Sequence, residues 1–140
     1  MCGFFTCALI VREEARAWYE GALVDLAEAR SAFREGRYNW AVFAAHQAVE
    51  KALKSALMVF KREPPPRTSD LTRLLSILGL ELPEDLRAGV MELSPFYTVA
   101  RYPNAGLERP WEGISRGLAA KLLRVAEEVV EYVGRAAELK

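Results

Sequence analysis

Hydrophobic and polar positions repeat at helical spacing along nearly the whole chain. Residues 38–60, YNWAVFAAHQAVEKALKSALMVF, contain no Gly or Pro and carry Ala at 41, 44, 45, 48, 52 and 56. Ala has the highest intrinsic helix propensity. From His46 onward the polar residues fall in neighbouring pairs one turn apart, His46-Gln47, Glu50-Lys51 and Lys54-Ser55. That spacing draws one polar stripe along a helix. The rest of the circumference is apolar, so this helix is predicted to be central and wrapped by others. The stripe reads equally as a solvated edge, a packed polar seam, or one wall of a site.

The flanking stretches predict further helices. Ala15, Trp18, Tyr19, Ala22, Leu26, Ala29 and Phe33 put a first helix over 13–34, with Gly36 as its left-handed cap. The next helix starts within a few residues, which favours an antiparallel hairpin. Pro64-Pro65-Pro66 ends the second helix and starts an extended linker. Thr68, Ser69 or Asp70 caps a short third helix carrying Leu71, Leu74, Leu75 and Leu78, closed by Gly79. Pro83-Glu84-Asp85 opens a fourth helix that buries Leu86, Val90 and Leu93, together with Phe96 and Tyr97, and Pro95 kinks or ends it. Residues 101–110, RYPNAGLERP, form an ordered loop. The last helix is predicted over 111–137, with Ile114, Leu118, Leu122, Val125, Val129, Val133 and Ala136 as its stripe. No segment reads as a strand. The fold class is all-α, an up-and-down-like bundle of four main helices plus a short one.

Composition narrows the function classes. The 140 residues suit one core, and the 19 basic and 19 acidic residues cancel. There is no global field for drawing in nucleic acid, which leaves only a local basic patch for that role. Cys2, Cys7 and the single histidine cannot fill a four-ligand zinc site alone, so no metal and no cofactor is expected. Low cysteine content fits a cytoplasmic protein. MCGFFTCALIV is apolar, but it lacks the basic residues of a secretory signal and falls short of the ~20 residues that span a bilayer. Residues 1–12 therefore read as an apolar N-terminal extension, with no membrane role, on a helical domain spanning 13–140.

The candidate chemistry lies in the loop and the stripe. Arg101 and Tyr102 sit at a helix–loop junction, stiffened by Pro103, followed by Asn104 and preceded one turn earlier by Tyr97. Arginine presents a fixed fork of donors suited to phosphate, and tyrosine adds a stacking face and a hydroxyl. Arg109 adds a second cation near the start of the last helix. The plain alternative is that Arg101 pairs with an acid such as Glu50 or Glu92 and pins the loop. In the stripe, Glu50–Lys54 and Gln47–Lys51 are i, i+4 pairs, worth only about 0.2–0.5 kcal/mol each on an exposed face. The functional alternative has Gln47, Glu50, Lys51 and Lys54 facing the Arg101 loop across one cleft. His46, with no second histidine, makes no evident acid–base pair within one chain.

GRYNWA followed by FAAHQAVEKALKSAL (43–57), a proline loop, LTRLL, FYTVARYPNAG (96–106) and a long last helix resemble the HEPN domain over about 13–137. The run from Gln47 to Lys54 and Arg101-Tyr102-Pro103 carry the resemblance. It implies an all-α bundle that forms a homodimer. In that family many members are metal-independent ribonucleases, often toxins, and this branch is commonly paired with a small nucleotidyltransferase as antitoxin. Other members bind nucleotides without cutting RNA. The ribonuclease motif is an arginine, four to six residues, then a histidine. Arg101 matches the arginine, but the histidine positions hold Gly106, Leu107 and Glu108. Glu108 also occupies the position of a tyrosine that the nucleotidyltransferase modifies, and Thr68 or Ser69 stands where a further family histidine is often found.

The expected function is therefore a homodimeric, catalytically weak or inactive subunit that binds a nucleotide, RNA or a partner nucleotidyltransferase through Arg101, Tyr102, Asn104, Tyr97, Arg109 and the stripe. One alternative is an active metal-independent endoribonuclease, with Arg101 as its catalytic residue and a substitute such as His46. Another is a structural interaction module in which these polar residues are internal salt bridges.

Overall fold

The computed structural model describes residues 4–140, with side chains from residue 10 onward. Among the described residues the chain is helical with no strand. It forms α1 (Phe4–Arg34), α2 (Tyr38–Lys61), α3 (Leu71–Leu78), α4 (Glu84–Leu93), α5 (Phe96–Val99), α6 (Pro110–Gly113) and α7 (Arg116–Ala136). The all-α expectation holds, and α2 is the central element. It packs chiefly on α1 and α7, then on α3, and also touches α4, α5 and α6. Its Ala41, Ala45, Ala48, Ala52 and Ala56 are buried, so its neighbours approach the backbone closely.

The α1–α2 hairpin follows from its turn. Gly36 sits at φ 76°, a left-handed conformation that costs little without a Cβ. The Arg37 N–H reaches Ala32 O at 2.9 Å and the Gly36 N–H reaches Phe33 O at 3.1 Å, the paired bonds of a Schellman cap. Helix α1 begins at Phe4 rather than at 13, because no Gly or Pro separates the apolar start from the amphipathic run. Whether the first side chains lie on the core concerns residues outside the described set.

Asp70 is the cap of α3. Its carboxylate accepts from the N–H groups of Thr72 at 3.1 Å and Arg73 at 3.3 Å. The Ser94 hydroxyl accepts from the Leu71 N–H at 3.0 Å and donates to the same carboxylate at 3.3 Å, tying the start of α3 to the end of α4. The fourth helix stops at Leu93, and α5 restarts after Pro95 as a separate single turn, so Phe96 and Tyr97 leave the α4 face and are only half-buried.

The last helix departs from the sequence expectation. It divides into α6 and α7, because Ile114 and Ser115 are extended and the Ser115 hydroxyl accepts from Leu118 N–H at 3.1 Å as a new N-cap. Ile114, Leu122, Val125, Val129 and Val133 are buried as the periodicity predicts, whereas Ala136 is exposed and Ala137 is buried in its place. No helix among the described residues is long and apolar enough to cross a membrane.

Candidate functional site

Arg101 follows directly on the single turn of α5. Its Nε donates to the Tyr97 carbonyl at 2.7 Å, which folds the side chain back over its own turn. The guanidinium carbon then lies 4.3 Å from the ring centre of Tyr97, 4.6 Å from Phe43 and 5.0 Å from Tyr102. Each such contact is worth about 0.5–1 kcal/mol at an exposed site and more where water is excluded. Trp40 meets Phe43 edge-on with ring centres 6.0 Å apart, and Phe43 lies 6.1 Å from Tyr97. The buried Asn39 amide donates to the Ala100 carbonyl at 3.2 Å and locks the start of α2 to the end of α5. The result is a half-exposed aromatic platform carrying one cation.

That cation has no carboxylate partner among the described residues. The acids proposed for it are engaged elsewhere: Glu50 Oε2 holds Lys54 at 3.0 Å, and Glu92 holds Lys121 at 2.8 Å. Of the guanidinium nitrogens, only Nε makes a hydrogen bond among the described residues. Arginine carries five N–H donors, so most of the fork remains available to an anion.

The polar stripe of α2 divides in two. His46, Glu50, Lys54 and Ser55 are buried, which makes this half a packed seam. Lys54 lies between Glu50 and the Trp18 ring on α1, 5.7 Å from its centre. Gln47 and Lys51 instead line an open cleft, where Lys51 pairs with Asp25 of α1 at 2.7 Å rather than with Gln47. The stripe and the Arg101 loop therefore do not face each other as two walls. Phe43 is the residue that touches both, since it lines the cleft and lies under the guanidinium.

His46 is fully buried, and its ring centre lies 5.6 Å from that of Tyr97. It therefore shares a ring neighbour with Arg101, a proximity that sequence spacing could not show. Burial holds the imidazole below its ordinary range. The Glu50 charge, the Gln47 side chain and the main chain at Ser94 and Ser69 pull the other way without overcoming it. None of these groups meets a ring nitrogen with hydrogen-bond geometry, and Glu50 Oε1 stands 3.9 Å from Nδ1.

The rest of the loop stands apart from the platform. Asn104 is exposed at φ 60°, and its N–H bonds the Leu107 carbonyl at 2.9 Å. Arg109 is exposed and pairs with Glu112 at 3.7 Å. Gly106 has φ 148°, and a Cβ there would sit 2.9 Å from a methyl of Val99. The backbone is thus shaped for glycine at one of the positions where the resemblance would place a histidine. Among the described residues no three His, Cys, Asp or Glu side chains gather as metal ligands.

Comparison with known proteins decides the family. The HEPN domain profile matches residues 15–136, nearly the whole described chain. The chain belongs to the HEPN family. TT1696 from Thermus thermophilus is 32% identical with a TM-score of 0.78, covering 86% of this chain and 96% of that one. An archaeal HEPN homologue, ST0689, is 29% identical with a TM-score of 0.74, covering 90% and 98% respectively. An HEPN domain protein from Thermotoga maritima is 26% identical with a TM-score of 0.69, covering 87% and 98%. A search of the curated proteins found no match.

Sequence reasoning brought Tyr97, Arg101 and Tyr102 together correctly but missed Asn39, Trp40, Phe43 and Asp25. The aromatic pair Trp40 and Phe43, one turn apart at the head of α2 and just before the polar stripe, was the available signal.

Proposed function

We propose that this HEPN chain is a homodimeric nucleotide- or RNA-binding subunit, catalytically weak or inactive. The observation that carries this reading is the Arg101 guanidinium, stacked among Tyr97, Phe43 and Tyr102 with no carboxylate partner among the described residues. A cation with free donors beside aromatic faces suits a phosphate joined to a base. The missing imidazole supports weak catalysis, because Gly106 leaves no room for a side chain and His46 is sealed. Removal of a general acid–base typically lowers rate by about 10²- to 10⁴-fold. The family resemblance supports a small nucleotidyltransferase as partner in a cytoplasmic toxin–antitoxin pair.

The test is titration of the full chain with a short single-stranded RNA at low salt, alongside Arg101→Ala and Arg101→Lys. Both variants are expected to weaken binding at least ten-fold, since lysine restores the charge but not the planar fork. Unchanged binding in Arg101→Ala removes the reading. A light-scattering mass near 15.7 kDa, the mass of one chain, removes the dimer. Co-expression with a nucleotidyltransferase encoded beside it, followed by co-purification, tests the pairing.

One observation favours a second reading, an active endoribonuclease: His46 and Arg101 both pack on Tyr97. Cleavage of a structured RNA in excess EDTA, lost in both Arg101→Ala and His46→Gln, would establish it.

A further inference from the structure

His46 is fully buried, and neither of its ring nitrogens has a hydrogen-bond partner. The polar groups set around it are all acceptors. They are the Glu50 carboxylate, whose Oε1 stands 3.9 Å from Nδ1, the buried and unpartnered Gln47 Oε1, and the main-chain carbonyls of Ser69 and Ser94. Of the charged groups, Glu50 is the one that acts on the ring directly. Its other oxygen holds the Lys54 ammonium, and the Asp70 carboxylate beside Ser69 is taken up by the cap of α3. Arg101 is linked to the imidazole by the Tyr97 ring that both touch. A neutral imidazole has one N–H to give to these acceptors, whereas an imidazolium has two. The surroundings therefore suit the charged ring in hydrogen bonding, and burial alone opposes it. Ser69, Ser94 and Tyr97 also line an open groove of about 590 Å³, which gives a proton its way in.

We infer that proton uptake at His46 and anion binding at Arg101 are coupled through the Tyr97 ring, each promoting the other. The inference rests on the proposed binding role of Arg101 and adds the regulation of that site. The Tyr97 ring centre lies 5.6 Å from that of the imidazole and 4.3 Å from the guanidinium carbon. An aromatic ring attracts a cation through its quadrupole, and a second cation at the same ring repels the first. While His46 is neutral, the guanidinium meets no rival at Tyr97. A proton on His46 turns the imidazole into a competing cation and weakens that hold. The guanidinium then gains more by turning to an anion. A bound anion in turn draws the guanidinium off and leaves Tyr97 to the imidazolium. Linkage requires the two effects to be equal in size. Loss of one such contact corresponds to a change of about two- to five-fold in an equilibrium constant. His46 is thus a positioning residue, acting on Arg101 through Tyr97, and the site tightens on its ligand as pH falls.

The chain holds a single histidine, so its imidazole gives one unambiguous NMR titration. The probe is inorganic sulfate, which keeps its charge across the range, compared with chloride at equal ionic strength. At saturating sulfate, His46 of the full chain is expected to titrate about half a pH unit higher than in chloride, equivalent to a coupling of about three-fold. Sulfate affinity should rise by the same factor as pH falls through that titration, and the rise should vanish in His46→Gln. In Tyr97→Leu, His46 should titrate alike in both salts. Arg101→Ala should abolish saturable sulfate binding. A His46 titration that sulfate does not move, a ring that stays neutral down to acid unfolding, or a response that survives Tyr97→Leu overturns the coupling. If Arg101→Ala still loses sulfate in those cases, the coupling falls and the Arg101 reading stands. If Arg101→Ala binds sulfate as wild type does, or wild type binds none, the underlying reading falls and the coupling with it.

Discussion

Two polar regions of this molecule border one tyrosine ring and have opposite characters. One side of the contrast is the His46–Glu50–Lys54 row, which meets Tyr97 through His46 and is closed to solvent and internally paired where it is charged. The other is Arg101, half-exposed, held by one main-chain carbonyl and three rings, with no acid of its own among the described residues. Each region carries a cation, Lys54 in one and Arg101 in the other. What separates them is whether each charge has found its partner within the fold. Burial with a partner makes a structural seam, and exposure without one leaves the donors of Arg101 free for an anion.

The sharpest way to break the contrast is to remove one partner from the seam. Glu50→Ala leaves the Lys54 ammonium buried and unpaired, and is expected to destabilise the fold by about 3 kcal/mol, read from urea midpoints. The loss should exceed that of Arg101→Ala, for which the three ring contacts set an expected loss of about 1.5 kcal/mol; comparable losses would erase the distinction.

A smaller effect is expected from restoring the missing imidazole. Gly106→His forces a side chain into φ 148° against Val99 and should destabilise by about 2 kcal/mol without producing RNA cleavage in EDTA. Cleavage in that variant would show that the loop retains a working geometry.

The third effect is a pH slope. Burial holds His46 neutral below its ordinary value of about 6.5, so the unfolded chain takes up a proton first as pH falls. The contribution of the neutral ring is complete above about 6.5 and declines as pH falls from there toward the lower folded value. Wild type should therefore lose stability as pH falls below about 6.5, and His46→Gln should lose less. Asp70 does not confuse the comparison. The Thr72 hydroxyl and the Arg73 N–H hold its carboxyl below the usual range, so its contribution is lost only in stronger acid.

The smallest change expected is in the cap that ties α3 to α4. Asp70→Ala should cost about 1 kcal/mol by removing the acceptor for Thr72 and Arg73, with RNA affinity unchanged. A loss of affinity there would extend the proposed binding region onto Ser94 and its neighbours.

Much of the fold was legible because its causes are local. The Ala-rich Gly-free run made α2, Gly36 made the hairpin, and the three prolines cleared the way for the Asp70 cap. The division between α6 and α7 was not legible, because Ile114 keeps the apolar period running through a Ser-capped break. The candidate site was half legible. Tyr97, Arg101 and Tyr102 are neighbours in the chain, so their meeting needed only a turn. Phe43, His46 and Asp25 come from other helices, and their positions depend on how α1, α2 and α5 pack. The same packing decided that Arg101 met rings rather than an acid, an outcome that spacing alone left open, whereas the Glu50–Lys54 pair follows from its i, i+4 spacing.

The placement of the tryptophans gives the molecule its own optical instruments. Trp18 sits beside the Lys54 ammonium, Trp40 stands edge-on to Phe43 at the mouth of the cleft, and Trp111 projects from α6 into solvent. With the other two indoles replaced by phenylalanine, emission from Trp18 would follow the integrity of the interior, while emission from Trp40 would follow the surroundings of the α1–α2 cleft. Unfolding and local opening could then be timed separately in one unlabelled chain.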